Sequence, residues 1–198
     1  NDSLTKEERD EYLDIIINES NRLSQLSTNV LNLSKIEKMS ILSDMETFDL
    51  SEEIRQSILL LESKWQKKEL ELIIDLDELE YHGNKALLNK VWINLIDNAV
   101  KFSPQNGKIK LKLHRIKDQI IFQIMDNGCG MDEETKDHIF DRFYQGDSSQ
   151  TTEGNGTGLT VVEKIIHLHK GSIQVISEAG IGTTFTVDLP IEPSPSSL

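Results

Sequence analysis

The chain has 198 residues, 37% of them hydrophobic, and a formal net charge of −13. That length suits one compact domain of about 150 residues plus an appendage, and the charge argues against a nucleic-acid partner, whose backbone it would repel. The single cysteine, Cys129, excludes an intrachain disulfide and fits a reducing compartment; no apolar run reaches the roughly 18 residues of a membrane span, and no signal peptide is visible. The first residue is Asn1 rather than Met, so a fragment or processed chain is expected.

Residues 7–41 read as one long helix. Tyr12, Ile16, Leu23, Leu26, Val30 and Leu33 recur at alternating four- and three-residue steps, with Glu19 interrupting. Thr5 and Glu8 have the spacing of a capping box. One helix cannot bury such a stripe alone. Packing against the chain's own globular part is one solution; a truncated dimerisation hairpin is the favoured one, because a self-sufficient domain follows. The expected boundaries are a helical segment over 1–42, a linker over 43–48, a globular domain over 49–191 and a disordered tail over 192–198.

Within the domain, 50–66 reads as a helix with Ile54, Ile58, Leu61 and Trp65 on one face. Leu70 to Leu76 reads as a strand, and 84–102 as a helix with Leu87, Leu88, Val91, Leu95 and Ile96 apolar. Lys108–His114 and Gln119–Met125 read as adjacent strands joined through Lys117-Asp118. Residues 158–169 predict a helix. Ser172–Ser177 and Thr183–Leu189 predict two strands joined through Ala179-Gly180. Helices do not alternate strictly with strands. The expected fold is therefore α/β (α+β), a two-layer sandwich of a mixed sheet and helices, preceded by the long helix. Residues 132–157 hold little apolar periodicity beyond Ile139, Phe140 and Phe143; so long a polar stretch in a compact domain predicts a functional lid or disorder.

Three short segments carry chemistry. Asn94, Asn98 and Lys101 lie at helical spacing on one face. An Asn98 amide oxygen can ligate Mg²⁺, which keeps waters and phosphate oxygens besides; Lys101 can offset phosphate charge, and Phe102 can lie against a purine. Asp126 follows an apolar strand and can accept from an adenine amino group, while Gly128 and Gly130 let a flat base approach the backbone. Gly154, Gly156 and Gly158 open a helix whose amides favour phosphate. Taken singly, the three also read as a solvated helix face, an Asp/Asn-Gly turn and a flexible loop. Together, in this order, they predict an ATP site without a Walker loop.

The ordered set resembles the catalytic core of bacterial-type sensor histidine kinases, in the GHKL ATP-binding superfamily. Residues 94–102 resemble the N box, 126–131 the first glycine box, 139–144 the F box and 154–159 the second glycine box; Gly182-Thr-Thr-Phe resembles the last box. The likeness covers about 50–190. It implies ATP and Mg²⁺ as cofactors, with Asn98 the metal ligand and Asn94 and Lys101 catalytic, near the phosphates. It implies adenine recognition by Asp126 with support from Thr184, stacking on Phe102, and backbone contacts along Gly128, Gly130, Gly154, Gly156, Thr157, Gly158 and Leu159. Phe140 and Phe143 would anchor the lid, and Arg142 would be a lid cation. The helix before the domain resembles the second helix of the family's dimerisation and phosphotransfer hairpin. The implied partners are a response regulator receiver domain and a second copy of the full-length protein. A cytoplasmic fragment is expected, and its parent is compatible with a membrane anchor.

Three departures stand out. The family's phosphoacceptor motif is absent around His82, His114, His138, His167 and His169, so this fragment is expected to bind Mg·ATP without phosphorylating itself. His167 and His169 read as satisfied or solvated. Gln145 stands where relatives often carry a base, and Thr157 where they carry Leu. GHKL hydrolases such as type II topoisomerases carry Glu where Asn94 stands. An amide cannot take a proton from water, so transfer to an external imidazole is the favoured reading. An ATP-hydrolysing clamp and a non-catalytic nucleotide-sensing module are the alternatives.

Overall fold

The computed structural model describes residues 41–144 and 156–191, with Thr5, Met39 and scattered positions between 9 and 36. The chain divides into two compact units, Asn1–Lys38 and Met39–Leu198. In the first, every described residue from 9 to 36 is helical. Tyr12 and Ile16 of the expected seam are exposed; Leu23, Leu26, Val30 and Leu33 lie outside the described residues.

The second unit runs β1 (Glu46–Asp49), α1 (Leu50–Leu60), α2 (Glu62–Lys67), β2 (Glu71–Leu76), β3 (Glu80–Gly83), α3 (Lys85–Phe102), β4 (Lys108–Ile116), β5 (Gln119–Asp126), α4 (Glu133–His138), α5 (Gly158–Leu168), β6 (Ser172–Glu178) and β7 (Gly182–Pro190). Five strands form one sheet in the order β2-β4-β5-β7-β6, and β1 and β3 form a separate antiparallel pair. β2 runs parallel to β4, and the other pairs of the large sheet are antiparallel. The sheet is mixed, as expected.

Strand periodicity decides which face is covered. Ile109, Leu111 and Leu113, with Ile120, Phe122 and Ile124, and with Phe185, Val187 and Leu189, are buried on one side. Alternate residues such as Lys110, Lys112, Gln123 and Thr186 stay partly exposed. One face therefore carries the helices and the other meets solvent. At the centre of the helical layer, α3 buries Leu88, Val91, Trp92 and Leu95 completely. Trp92 stacks obliquely on Phe122 of β5 at 4.9 Å between ring centroids. Asn84 starts α3 by accepting from the Leu87 N–H at 2.9 Å.

Three expectations are corrected. The helix over 50–66 is two helices. At Leu61 the N–H bonds to the Ile58 carbonyl at 3.2 Å, a tighter turn than an α-helix makes, and Trp65 Nε1 donates to that same carbonyl at 3.1 Å. The linker over 43–48 contains the start of β1, whose partner β3 has too few residues to show an apolar alternation. The stretch over 132–157, expected to be a lid or disordered, opens with α4, capped by Asp132 on the Thr135 N–H at 2.8 Å. Residues 145–155, including Gly154 and Gln145, and the tail 192–198 lie outside the described residues.

Candidate functional site

α3 carries Asn94, Asn98 and Lys101, all half-buried, along one face. Asn94 commits its Nδ2 to the Lys90 carbonyl at 2.7 Å. Its Oδ1 lies against the first residue of α5, where a Cβ on Gly158 would sit 2.6 Å from it. The glycine is what lets a helix N-terminus and this amide share one place, and the amides there attract anions. The Asn98 side chain makes no hydrogen bond among the described residues. Lys101 Nζ stands 4.7 Å over the Phe102 ring. Thr157, buried just before α5, accepts from the Val161 N–H at 3.1 Å. Leu159 is half-buried in the first turn.

The second part of the site is the turn after β5. Asp126 Oδ1 accepts the Gly128 N–H at 2.8 Å and the Thr183 N–H at 3.3 Å. Burial pushes this carboxyl above the usual carboxylate range, and the two N–H bonds oppose the shift. The turn is held by close backbone approaches. A Cβ on Gly130, at φ 63°, would lie 1.9 Å from the Glu178 carbonyl. One on Gly182, at φ 141°, would lie 2.1 Å from the Asp126 carbonyl. A Cβ on Gly128 would meet the Phe102 carbonyl at 2.5 Å and Asp126 Oδ1 at 2.8 Å, so a side chain there would fill the space over the carboxylate. The exposed Cys129 donates its N–H to the Phe102 carbonyl at 3.4 Å and accepts from Gly180 at 2.7 Å. The end of α3 and the Asp126 turn are thus joined directly.

Two assignments change. Thr183, not Thr184, stands beside Asp126: the two are cross-strand partners, whereas Thr184 pairs with Met125 and points to the other face. The signal was in the sequence, because Phe185, Val187 and Leu189 set the inward parity of β7, and Thr183 shares it. Phe143, expected as an anchor, is not buried. It is 54% exposed at φ 62° and donates its N–H to Gly156 at 2.9 Å, while Ile139 is buried. Phe140 is half-buried, and its carbonyl accepts from Thr160 Oγ1 at 3.0 Å. Arg142 is exposed.

The histidines have other work. His169 is buried, accepts the Asn84 N–H on Nε2 at 3.1 Å and donates from Nδ1 to the Ile165 carbonyl at 2.8 Å. Burial holds its pKa below the usual value. His167 is exposed. His138 meets Asp141 at 2.7 Å, which raises its pKa. His114 sits between Asp75 and Asp77, and His82 meets Thr47 Oγ1. No group of three or more His, Cys, Asp or Glu able to hold a metal exists among the described residues.

Residues 83–193 match the family model described as histidine kinase-, DNA gyrase B-, and HSP90-like ATPase. The chain is 38% identical, over 98% of its length, to the drug sensory protein A of Synechocystis sp., of which it covers 31%. It is 37% identical, over 90% of its length, to the signal transduction histidine-protein kinase ArlS of Staphylococcus aureus, of which it covers 40%. The crystal structure of histidine kinase ThkA in complex with response regulator protein TrrA superposes with a TM-score of 0.77 at 27% identity, covering 98% of this chain and 54% of that one. The chain spans less than half the length of these two curated relatives.

Proposed function

Because this chain belongs to the family of histidine kinase-, DNA gyrase B- and HSP90-like ATPases, we propose that it is the ATP-binding catalytic part of a sensor histidine kinase, passing the γ-phosphoryl of Mg·ATP to a histidine on a hairpin helix. The observation that carries this reading is Asn94. A hydrolase of this fold needs a base for the attacking water, and an amide cannot serve. Here the amide gives one Nδ2 hydrogen to Lys90 and stands at the start of α5, where its second hydrogen and the helix amides suit phosphate and no group can take a proton from water.

The remaining residues divide the nucleotide between them. Asp126 accepts from the exocyclic amino group of adenine, with Thr183 holding the carboxylate. Phe102 stacks on the base, which Gly128 and Gly130 admit. Lys101 and the amides from Gly156 to Leu159, with Gly154 on the lid, take the phosphates. A single amide, Asn98, with no carboxylate cage among the described residues, suits Mg²⁺, which keeps water and phosphate oxygens as its other ligands. When bound, that ion would neutralise charge on the phosphates. The protein then contributes positioning and an electropositive surround, which matters in a chain of net charge −13.

The acceptor imidazole would come from the hairpin of the full-length dimer, and a response regulator aspartate would receive the phosphoryl next. The exposed Tyr12 and Ile16 support a helical partner, and the ThkA–TrrA complex supports the regulator. No described helix is long and apolar enough to cross a membrane; a cytoplasmic location belongs to the same proposal. The test is calorimetric titration with ATP, with and without Mg²⁺. Magnesium should tighten binding in the parent and leave Asn98→Ala weak and indifferent to the metal. A variant whose affinity still rises with Mg²⁺ removes Asn98 from the metal. Steady phosphate release by the parent chain would favour a hydrolase and overturn the kinase reading.

A further inference from the structure

The last turn of α3 is closed from outside. An α-helix leaves its final four carbonyls without intrahelical donors. Here Lys68, just past α2, donates from Nζ to the carbonyls of Val100 at 2.9 Å, Lys101 at 2.6 Å and Ser103 at 2.8 Å. An ammonium has three hydrogens, so its capacity is filled. The carbonyl it leaves is that of Phe102, which accepts the Cys129 N–H and presses on Gly128. Four consecutive carbonyls are thus shared between one cation and the turn that carries Asp126. The cation also complements the helix dipole.

Lys68 is itself fixed. Its carbonyl accepts the Asn106 N–H at 2.9 Å, and the next residue, Glu69, turns back at φ 51° with its N–H on Gln66. We propose that Lys68 is a positioning residue for the nucleotide site: by gathering these three carbonyls it sets the end of α3, and so places Lys101, Phe102 and the Gly128–Cys129 turn. This rests on the nucleotide reading of that site. Lys68 touches no reacting atom; it acts through the backbone it holds.

The experiment uses the whole chain, Mg·ADP and two readouts. Calorimetry gives the affinity, and hydrogen exchange in the nucleotide-free protein reads the Cys129 and Ser103 amides. Lys68→Met should weaken Mg·ADP about tenfold and speed exchange at Cys129. Lys68→Arg, which can still donate to terminal carbonyls, should restore most of the affinity. Lys64→Met removes another α2 cation tied to α3, through Asp97, and should change affinity less than about twofold. If Lys68→Met does not fold, Lys68→Gln is measured in its place. A folded variant with parental affinity and parental Cys129 exchange overturns the proposal. So does a loss in Lys64→Met as large as that in the Lys68 variant, since general destabilisation would then explain both. A parent chain that binds no Mg·ADP overturns the site reading itself, and is seen before any variant is made.

Discussion

Asp126 and Glu53 are both acids withdrawn from water without an ion pair among the described residues, and the fold treats them differently. Asp126 ends a strand beside a glycine turn and accepts two backbone N–H groups. Glu53 lies in the first turn of α1, is 4% exposed, and has no hydrogen bond to either carboxyl oxygen among the described residues. Burial pushes it up to about 7. The contrast follows from local backbone. In the first turn of α1 the Leu50 N–H goes to the Leu79 carbonyl and the Glu52 N–H to the Asp49 side chain, whereas the turn after β5 offers two N–H groups to Asp126. A buried acid given backbone donors is therefore a usable acceptor, and one left without them is a group that holds its proton.

The largest effect should come from breaking the turn that favours Asp126. Gly130→Ala would force a side chain into φ 63° and place its Cβ 1.9 Å from a backbone carbonyl. Strain and overpacking together should cost about 3–4 kcal/mol of stability, read by urea unfolding, with the Glu53 corner untouched. Parental stability would mean that the turn can shift, and that its hold on Asp126 is loose.

Next in size is Asp126→Asn. The new amide keeps its oxygen on the Gly128 and Thr183 N–H groups and so turns its NH₂ toward the adenine amino group, where donor opposes donor. ATP affinity should fall by about 1–3 kcal/mol, the cost of an unpaired buried polar group, while the fold persists. Calorimetry that finds no change would take Asp126 out of base recognition.

How much of this contrast was legible beforehand depends on the range of the signal. Asp126, Gly128 and Gly130 were legible, because a carboxylate and glycines after an apolar strand announce a turn that something approaches. The five-stranded sheet and α3 were legible from period. The resemblance points to Thr184 as support for Asp126, whereas the parity of Phe185 and Val187 puts Thr183 beside it. Phe143 was read by its type as an anchor, but its backbone turns at positive φ and leaves the ring exposed. Lys68 and Glu53 gave no local signal. In a polar stretch a lysine or a glutamate looks solvated, and only α3 and β3, both distant in sequence, bring carbonyls to Lys68 or help to enclose Glu53.

The smallest effect tests the other half of the contrast. Glu53 faces Lys85 at the start of α3, which pulls its pKa down, and Glu46 on β1, which pushes it up; burial outweighs both. Its folded pKa of about 7 lies above the ordinary 4.5. The folded state therefore binds the proton more tightly than the unfolded state. The stability this provides is complete below the ordinary value and is lost as pH rises through about 7. His169, whose pKa is lowered by burial, acts in the opposite sense and costs stability as pH falls through the ordinary histidine range. Both terms are present in the parent, but Glu53→Gln retains only that of His169. Between about pH 5 and about pH 8 the parent should lose about 1–2 kcal/mol relative to Glu53→Gln, after discounting for water that reaches the corner. Urea unfolding of both proteins at the two pH values measures that difference directly. Parallel pH profiles would show that Glu53 finds a partner on ionising, and the two acids would then differ only in where that partner comes from.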